Sequence, residues 1–142
     1  MTTRIGPFEV FDRIGRGGMG EVFRGRHTTQ GVDVAIKVVT SSRARQPRYQ
    51  KAFRDEVHAM ARLDHPGVIM VFDVGEMPKD IQMEGLRPGS PYVAMELATH
   101  GTLKRIKDGL HWRRLRLSLY AILDALGHAH ARGVIHRDLK PG

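Results

Sequence analysis

Four short segments of this chain hold residue types that can act on an anionic ligand. The first, GRGGMGEV, sets Gly15, Gly17 and Gly20 in a G-x-G-x-x-G spacing, with Val22 two residues on. Glycines let backbone N–H groups come close to phosphate oxygens because no side chain intervenes. The same string also reads as a flexible hairpin turn. A dinucleotide site is disfavoured, since it needs the glycines between a strand and a helix, and here strand-like sequence lies on both sides.

The second segment, Val34-Ala35-Ile36-Lys37, ends an apolar run on a lysine. An ammonium among apolar side chains is costly unless a carboxylate or phosphate compensates it. Alternation along a strand also allows Lys37 simply to face water. The third segment carries Glu56, nineteen residues later, close to a helical stripe of Phe53, Val57 and Met60, where it can face a sheet and pair with Lys37 so as to hold that cation for the anion. Otherwise it is a solvated helix residue. The fourth segment, Val134 to Pro141, reads VIHRDLKP. In it the Asp138 carboxylate is suited to accept a proton from an attacking hydroxyl, and Lys140 to neutralise charge on a phosphoryl group in flight. Singly, each residue fits a charged loop; the ordered run of six is harder to obtain by chance.

These groups need elements to hold them. Residues 8–14 and 21–27 read as two strands around the glycine-rich turn, and VDVAIKVV (32–39) as a third. From about Pro47 the period becomes helical, ending near Leu63 before His65-Pro66-Gly67. Residues 68–74 and 92–97 read as two more strands, joined by a long Pro- and Gly-rich segment, 77–91, expected as a surface loop. Residues 112–132 restore a helical stripe through Leu115, Leu119, Ile122, Leu126 and Ala129, with Gly133 as its stop. Five strands and two helices make an α+β expectation.

The 142 residues suit one ordinary domain, and 41% hydrophobic with 27% charged content is that of a soluble globular chain. No stretch approaches a membrane span, and Met1 to Val10 lack the apolar centre of a secretory signal. Absence of cysteine excludes disulfides and thiolate metal sites and suits a cytoplasmic location. The net charge of +8 offers nucleic-acid binding as a weak third reading, since the arginines at 43–54 and 113–116 fall on helix-like segments where solvated faces are commoner.

Taken together, in this order and spacing, the four segments resemble the eukaryotic-type protein kinase family, and the GGMG wording resembles its bacterial serine/threonine members. GRGGMGEV is similar to the glycine-rich loop, VAIK to the third-strand lysine motif, Glu56 to the helix-C glutamate, HPGVI to the entry to strand four, and HRDLKP to the start of the catalytic loop. The resemblance covers essentially the whole chain. It implies a kinase small lobe over 1–98, a five-stranded antiparallel sheet plus helix C ending in the hinge, and the first helices of a large lobe over 99–142.

The resemblance further implies ATP and Mg²⁺ as cofactors and a protein substrate with Ser or Thr. Gly15, Gly17 and Gly20 would cover the phosphates, with Ile14, Val22 and Ala35 against the adenine. Lys37 would hold the α- and β-phosphates and Glu56 would orient it. Met95 would be the gatekeeper, with Glu96 to Ala98 the hinge that bonds adenine through its backbone. Asp138 would be the catalytic base, Lys140 would contact the γ-phosphate, and Arg137 would await a phosphorylated activation segment.

The family pattern H-R-D-L-x-x-x-N would place its Asn immediately after Gly142, and no D-F-G follows, so both protein ligands for the metal fall outside these residues. Little or no phosphoryl transfer is therefore expected of the 142-residue polypeptide alone, and a non-catalytic ATP-binding or kinase-interaction module is the rival reading. The stripe of the 112–132 helix lacks the large-lobe helices that cover it in the family, so self-association through that helix, or instability of residues 100–142, is expected while the five-stranded lobe folds independently.

Overall fold

In the computed structural model, residues 3–17, 20–40, 46–81, 83–84, 86–106, 111–137 and 139–140 are described. Six strands form one sheet: β1 (Thr3–Ile5), β2 (Phe8–Gly17), β3 (Gly20–His27), β4 (Asp33–Val39), β5 (Val71–Glu76) and β6 (Pro91–Glu96). Their order is β1-β2-β3-β4-β6-β5, and every neighbouring pair is antiparallel. The helices are α1 (Pro47–Ala61), the single turn α2 (Leu103–Ile106) and α3 (Trp112–Ala131). This is the α+β small-lobe architecture with the start of a helical lobe, with one strand more than the sequence suggested. The extra strand, β1, inserts Ile5 fully into the core.

Side chains alternate between the two faces of the sheet. One face carries the main core, in which Ile5, Phe8, Val34, Ile36 and Val38 are fully enclosed. Burying each contributes roughly 1.5–3 kcal/mol. The segment between β5 and β6, expected at the surface, instead completes this core. Met77 and Leu86 are buried in it, and Ile81 and Met83 pack against it. Backbone bonds from Met77 N–H to Ser90 O (2.8 Å) and from Gly89 N–H to Met77 O (3.0 Å) close the segment on itself. Its apolar residues follow no strand or helix period, which is why sequence pattern missed them.

The chain divides into two compact units. Met1–Ala61 with Met70–Leu97 contains the sheet and α1, and Arg62–Ile69 with Ala98–Gly142 contains α2 and α3. In the first, α1 packs against β5 and β6, with Val57 as its buried residue. Gln50 Nε2 donates to Gly89 O at 3.2 Å and Arg54 pairs with Glu76 at 3.1 Å.

In the second unit, the segment that follows α1 in sequence docks on α3. His65 Nδ1 accepts from Gly67 N–H at 2.9 Å, so its Nε2 carries the proton and donates to Asp124 Oδ2 at 3.0 Å. The ring of His128 lies 5.0 Å from that of His65. A side chain at Gly67 would press on Ala125. Helix α3 ends as its sequence suggests: Gly133 adopts φ +75 and donates to His130 O at 3.0 Å. Of the expected stripe, Leu115, Ile122 and Leu126 are half-buried and Ala129 buried, while Leu119 is exposed. The exposed face is a different one, with Leu117, Tyr120 and Leu123 each more than 60% exposed.

Candidate nucleotide site

The register of β2, β3, β4 and β6 assembles most of the expected nucleotide residues. Gly15 lies opposite Val22, Val22 opposite Lys37, Lys37 opposite Val93, and Ala35 opposite Met95. Because directly paired residues point the same way, Val22, Ala35, Lys37, Val93 and Met95 share the face opposite the main core. Ala35 and Val93 are buried there, while Val22, Lys37 and Met95 are half-buried. A cation thus stands on an apolar wall next to the glycine-rich hairpin. Its aliphatic stem can cover apolar surface while the ammonium stays available to an anion.

The three motif glycines have different physical reasons. A Cβ at Gly20 would overlap the Val38 carbonyl oxygen and crowd Val39 Cα, so close packing of β3 on β4 requires glycine there. At Gly17 a Cβ would meet nothing within 4 Å, and at Gly15 it would sit 3.6 Å from Val22, an ordinary contact. Neither has a left-handed backbone. The fold itself does not demand glycine at 15 or 17, which leaves room for a ligand as the reason. Ile14 is about half-exposed at the same end of β2.

Glu56 is not brought to Lys37. It is exposed on α1, and among the described residues no ion pair within 4 Å links the two. Glu56 lies about 100° round the helix from the buried Val57, on the flank of the packed face. At the other end of the strand, Glu96 N–H donates to Met70 O at 2.8 Å and its carboxylate accepts from Met70 N–H at 3.3 Å, fixing the β5–β6 end. Ala98 is exposed and belongs to the second unit.

Asp138 lies outside the described residues. Arg137 beside it has φ 59, the one non-glycine residue with positive φ among those described. Such a backbone costs of order 1 kcal/mol. Lys140 is exposed in the same unit.

One residue of the hairpin carries no role in the sequence reading. Glu21 is only 5% exposed, directly after Gly20. Its Oε1 lies 3.2 Å from Arg13 and 3.4 Å from Arg16, and its Oε2 is buried with no hydrogen-bond partner among the described residues. The available signal was the placement of Arg16 and Glu21 at equal distances either side of the turn; the contribution of Arg13 depends on a bulge that sequence does not display.

Comparison with known proteins agrees with this geometry. Residues 8–142 match the protein kinase domain family. The chain is 36% identical over 140 residues to the probable serine/threonine-protein kinase SCO3848 of Streptomyces coelicolor, covering 96% of this chain and 20% of that protein. It is 37% identical over 147 residues to the serine/threonine-protein kinase PknA of Mycobacterium tuberculosis, covering 99% of this chain and 32% of that one. Among solved structures, the kinase domain of PknI from Mycobacterium tuberculosis superposes with a TM-score of 0.77 at 26% identity, over 99% of this chain and 55% of that domain. The chain therefore spans a fifth to a third of the length of these two relatives, and about half of a solved kinase domain. With the lysine of β4 beside a glycine hairpin and a family match over nearly all of its length, this chain belongs to the protein kinase family, and the two relatives above are bacterial serine/threonine kinases.

Proposed function

We propose that the sheet face carrying Gly15, Val22, Ala35, Lys37 and Met95 binds ATP, and that in a complete kinase domain it serves phosphoryl transfer to Ser or Thr of a protein substrate. The observation that carries this reading is the cross-strand row Gly15, Val22, Lys37, which sets one ammonium beside a backbone open to phosphates. Ile14, Val22 and Ala35 would hold the adenine, with Met95 and the Glu96 to Ala98 backbone at its edge. Lys37 would take the α- and β-phosphates, where apolar neighbours strengthen its Coulomb attraction relative to water. Asp138 would accept the hydroxyl proton and Lys140 would stabilise the transferring group. Glu56 would orient Lys37 once α1 turns it inward. When bound, Mg²⁺ neutralises phosphate charge, and the family's ligands for it have no counterpart among these 142 residues. An enzyme drawing on ATP in this way would act in the cytoplasm; among the described residues no helix is long and apolar enough to cross a membrane.

The test is titration of a non-hydrolysable ATP analogue against the 142-residue polypeptide and its Lys37→Ala variant. A charged hydrogen bond contributes about 1.5–3 kcal/mol, so affinity should fall by roughly 10- to 100-fold. Equal affinity for both proteins would remove Lys37 from the site. Phosphotransfer by the same polypeptide should be negligible, because metal positioning supplies much of the rate. Turnover like that of an intact kinase would contradict this. A second reading, a non-catalytic module that binds nucleotide and self-associates, draws on the exposed Leu117, Tyr120 and Leu123 of α3. Sedimentation should then show a dimer that Leu123→Glu dissociates, and a monomer at all concentrations would dismiss it.

A further inference from the structure

The buried carboxylate of the glycine hairpin has no part in the reading above. By strand alternation Glu21 shares its face with Phe23 and Gly25, away from Lys37. On β2, Arg13 and Arg16 are three residues apart and regular alternation would send them to opposite faces. The register shift between Arg13 and Gly15 inserts one extra residue, so Arg13 pairs with Phe23 and Arg16 with Glu21. Both guanidiniums thereby converge on Glu21 Oε1, while Gly15 turns to the nucleotide face. Of the described residues at this end of β2, Gly17 would meet nothing within 4 Å even with a Cβ added, and Gly15 only Val22.

A carboxylate with one buried oxygen unpartnered is a poor choice for stability, and an apolar residue of similar volume would pack there at least as well. The arrangement does something else well: it ties the last rungs of β2 and β3 together across the strand pair, and fixes the hairpin that lies beside Lys37. We propose that Glu21 is a positioning residue for the phosphates, acting as a two-arginine clamp that holds the glycine hairpin at the height where its backbone meets the nucleotide. This rests on the nucleotide-binding reading. The clamp touches no ligand itself; it lowers the ordering cost that an untied glycine hairpin would meet on binding.

The experiment compares Glu21→Met and the isosteric Glu21→Gln with the unaltered 142-residue polypeptide. It measures the melting temperature and the affinities for a non-hydrolysable ATP analogue and for adenosine. Glu21→Met should melt at the same temperature or higher, bind the analogue about tenfold more weakly and bind adenosine unchanged. The sign is diagnostic. Removing a negative charge beside a polyanion site would by itself tighten binding of the analogue, so a weakening requires loss of the clamp. Should Glu21→Met fail to fold, Glu21→Gln carries the same expectation for the two ligands. Unchanged or tighter analogue binding, or an equal loss for analogue and adenosine, overturns the proposal. If the unaltered polypeptide binds neither ligand, the nucleotide-binding reading fails first and takes this one with it.

Discussion

Replacing each motif glycine by alanine should separate folding from ligand approach, because the three positions differ in what a methyl group would meet. At Gly20 the added Cβ would overlap the Val38 carbonyl and approach Val39 Cα, both backbone atoms of the paired strand. Backbone cannot move aside as a side-chain tip can, so β3 and β4 must part locally. Overpacking of this kind costs about 1–3 kcal/mol, and loss of the terminal rung adds to it. At roughly 4–8 °C per kcal/mol for a unit of this size, Gly20→Ala should melt 10 °C or more below the unaltered protein. Gly17→Ala meets nothing within 4 Å and Gly15→Ala only an ordinary contact with Val22, both on backbone that alanine adopts freely. Each should stabilise the fold by roughly 0.4–1 kcal/mol through a less flexible unfolded chain. Their cost should appear in binding of an ATP analogue, weakened about tenfold or more, since a methyl group would stand between backbone N–H groups and phosphate. Differential scanning fluorimetry and isothermal titration on the same three variants decide the matter. Equal melting temperatures across the series would refute the steric argument, and undiminished affinity in Gly15→Ala and Gly17→Ala would refute the ligand-approach argument.

Tyr92 is buried and donates to Asp73 Oδ2 at 3.3 Å; burial, then the Asp73 charge, push its phenol up to about 12. A raised acid is stabilising while protonated, so its contribution, of order 2 kcal/mol, is complete below pH 10 and lost between about 10 and 12. Alkaline unfolding followed by circular dichroism should show this loss, and Tyr92→Phe should not. His128 is held below the usual histidine range by burial first, then by Arg132 and His65. Its neutral form favours the folded state, so the second unit keeps this contribution above pH 6.5 and loses it as pH falls through the depressed value. Amide exchange in α3 should accelerate on acidification in the unaltered protein and less in His128→Leu. Glu56→Gln should change the affinity for an ATP analogue less than threefold in the 142-residue polypeptide, against the large loss in Lys37→Ala, because Glu56 makes no pair with Lys37. Equal losses in the two variants would show that α1 brings Glu56 inward on binding.

Much of the sheet was legible because its strands are long enough to show period or apolar runs: β4 carries Val, Ala and Ile around the single Lys37, and β6 carries Tyr, Val, Ala and Met in a row. β1 was not, since three residues with one inward side chain, Ile5, leave no pattern. Residues 77–91 misled in the opposite sense. Their Pro and Gly marked a loop, but Met77 and Leu86 were available to the core at irregular spacing. Of the site, the row Gly15, Val22, Lys37 follows from the local pairing of β2 with β3 out to Gly17 opposite Gly20, which spacing encodes. The position of Glu56 does not, because it depends on where α1 settles on the sheet rather than on its own period.

That contrast orders the parts of the site by what holds them. The cross-strand row is fixed by backbone pairing, and moving Lys37 relative to Val22 would require a two-residue slip that also takes Ile36 and Val38 out of their partners in the core. Helix α1 is held less firmly, by side-chain packing on β5 and β6 in which Val57 is buried and Phe53 half-buried, a side-chain bond from Gln50 to the Gly89 carbonyl, and an exposed Arg54 to Glu76 pair contributing about 0–1 kcal/mol. A partly desolvated Lys37 to Glu56 pair, stronger than an exposed one, can offset the loss of the Arg54 to Glu76 tie. The sheet therefore presents the lysine and the open backbone permanently, while the glutamate is the part whose placement a ligand or a neighbouring surface can change. The segment 77–91 supplies the Gly89 carbonyl that Gln50 grips, so the same loop that completes the core also ties α1 to it.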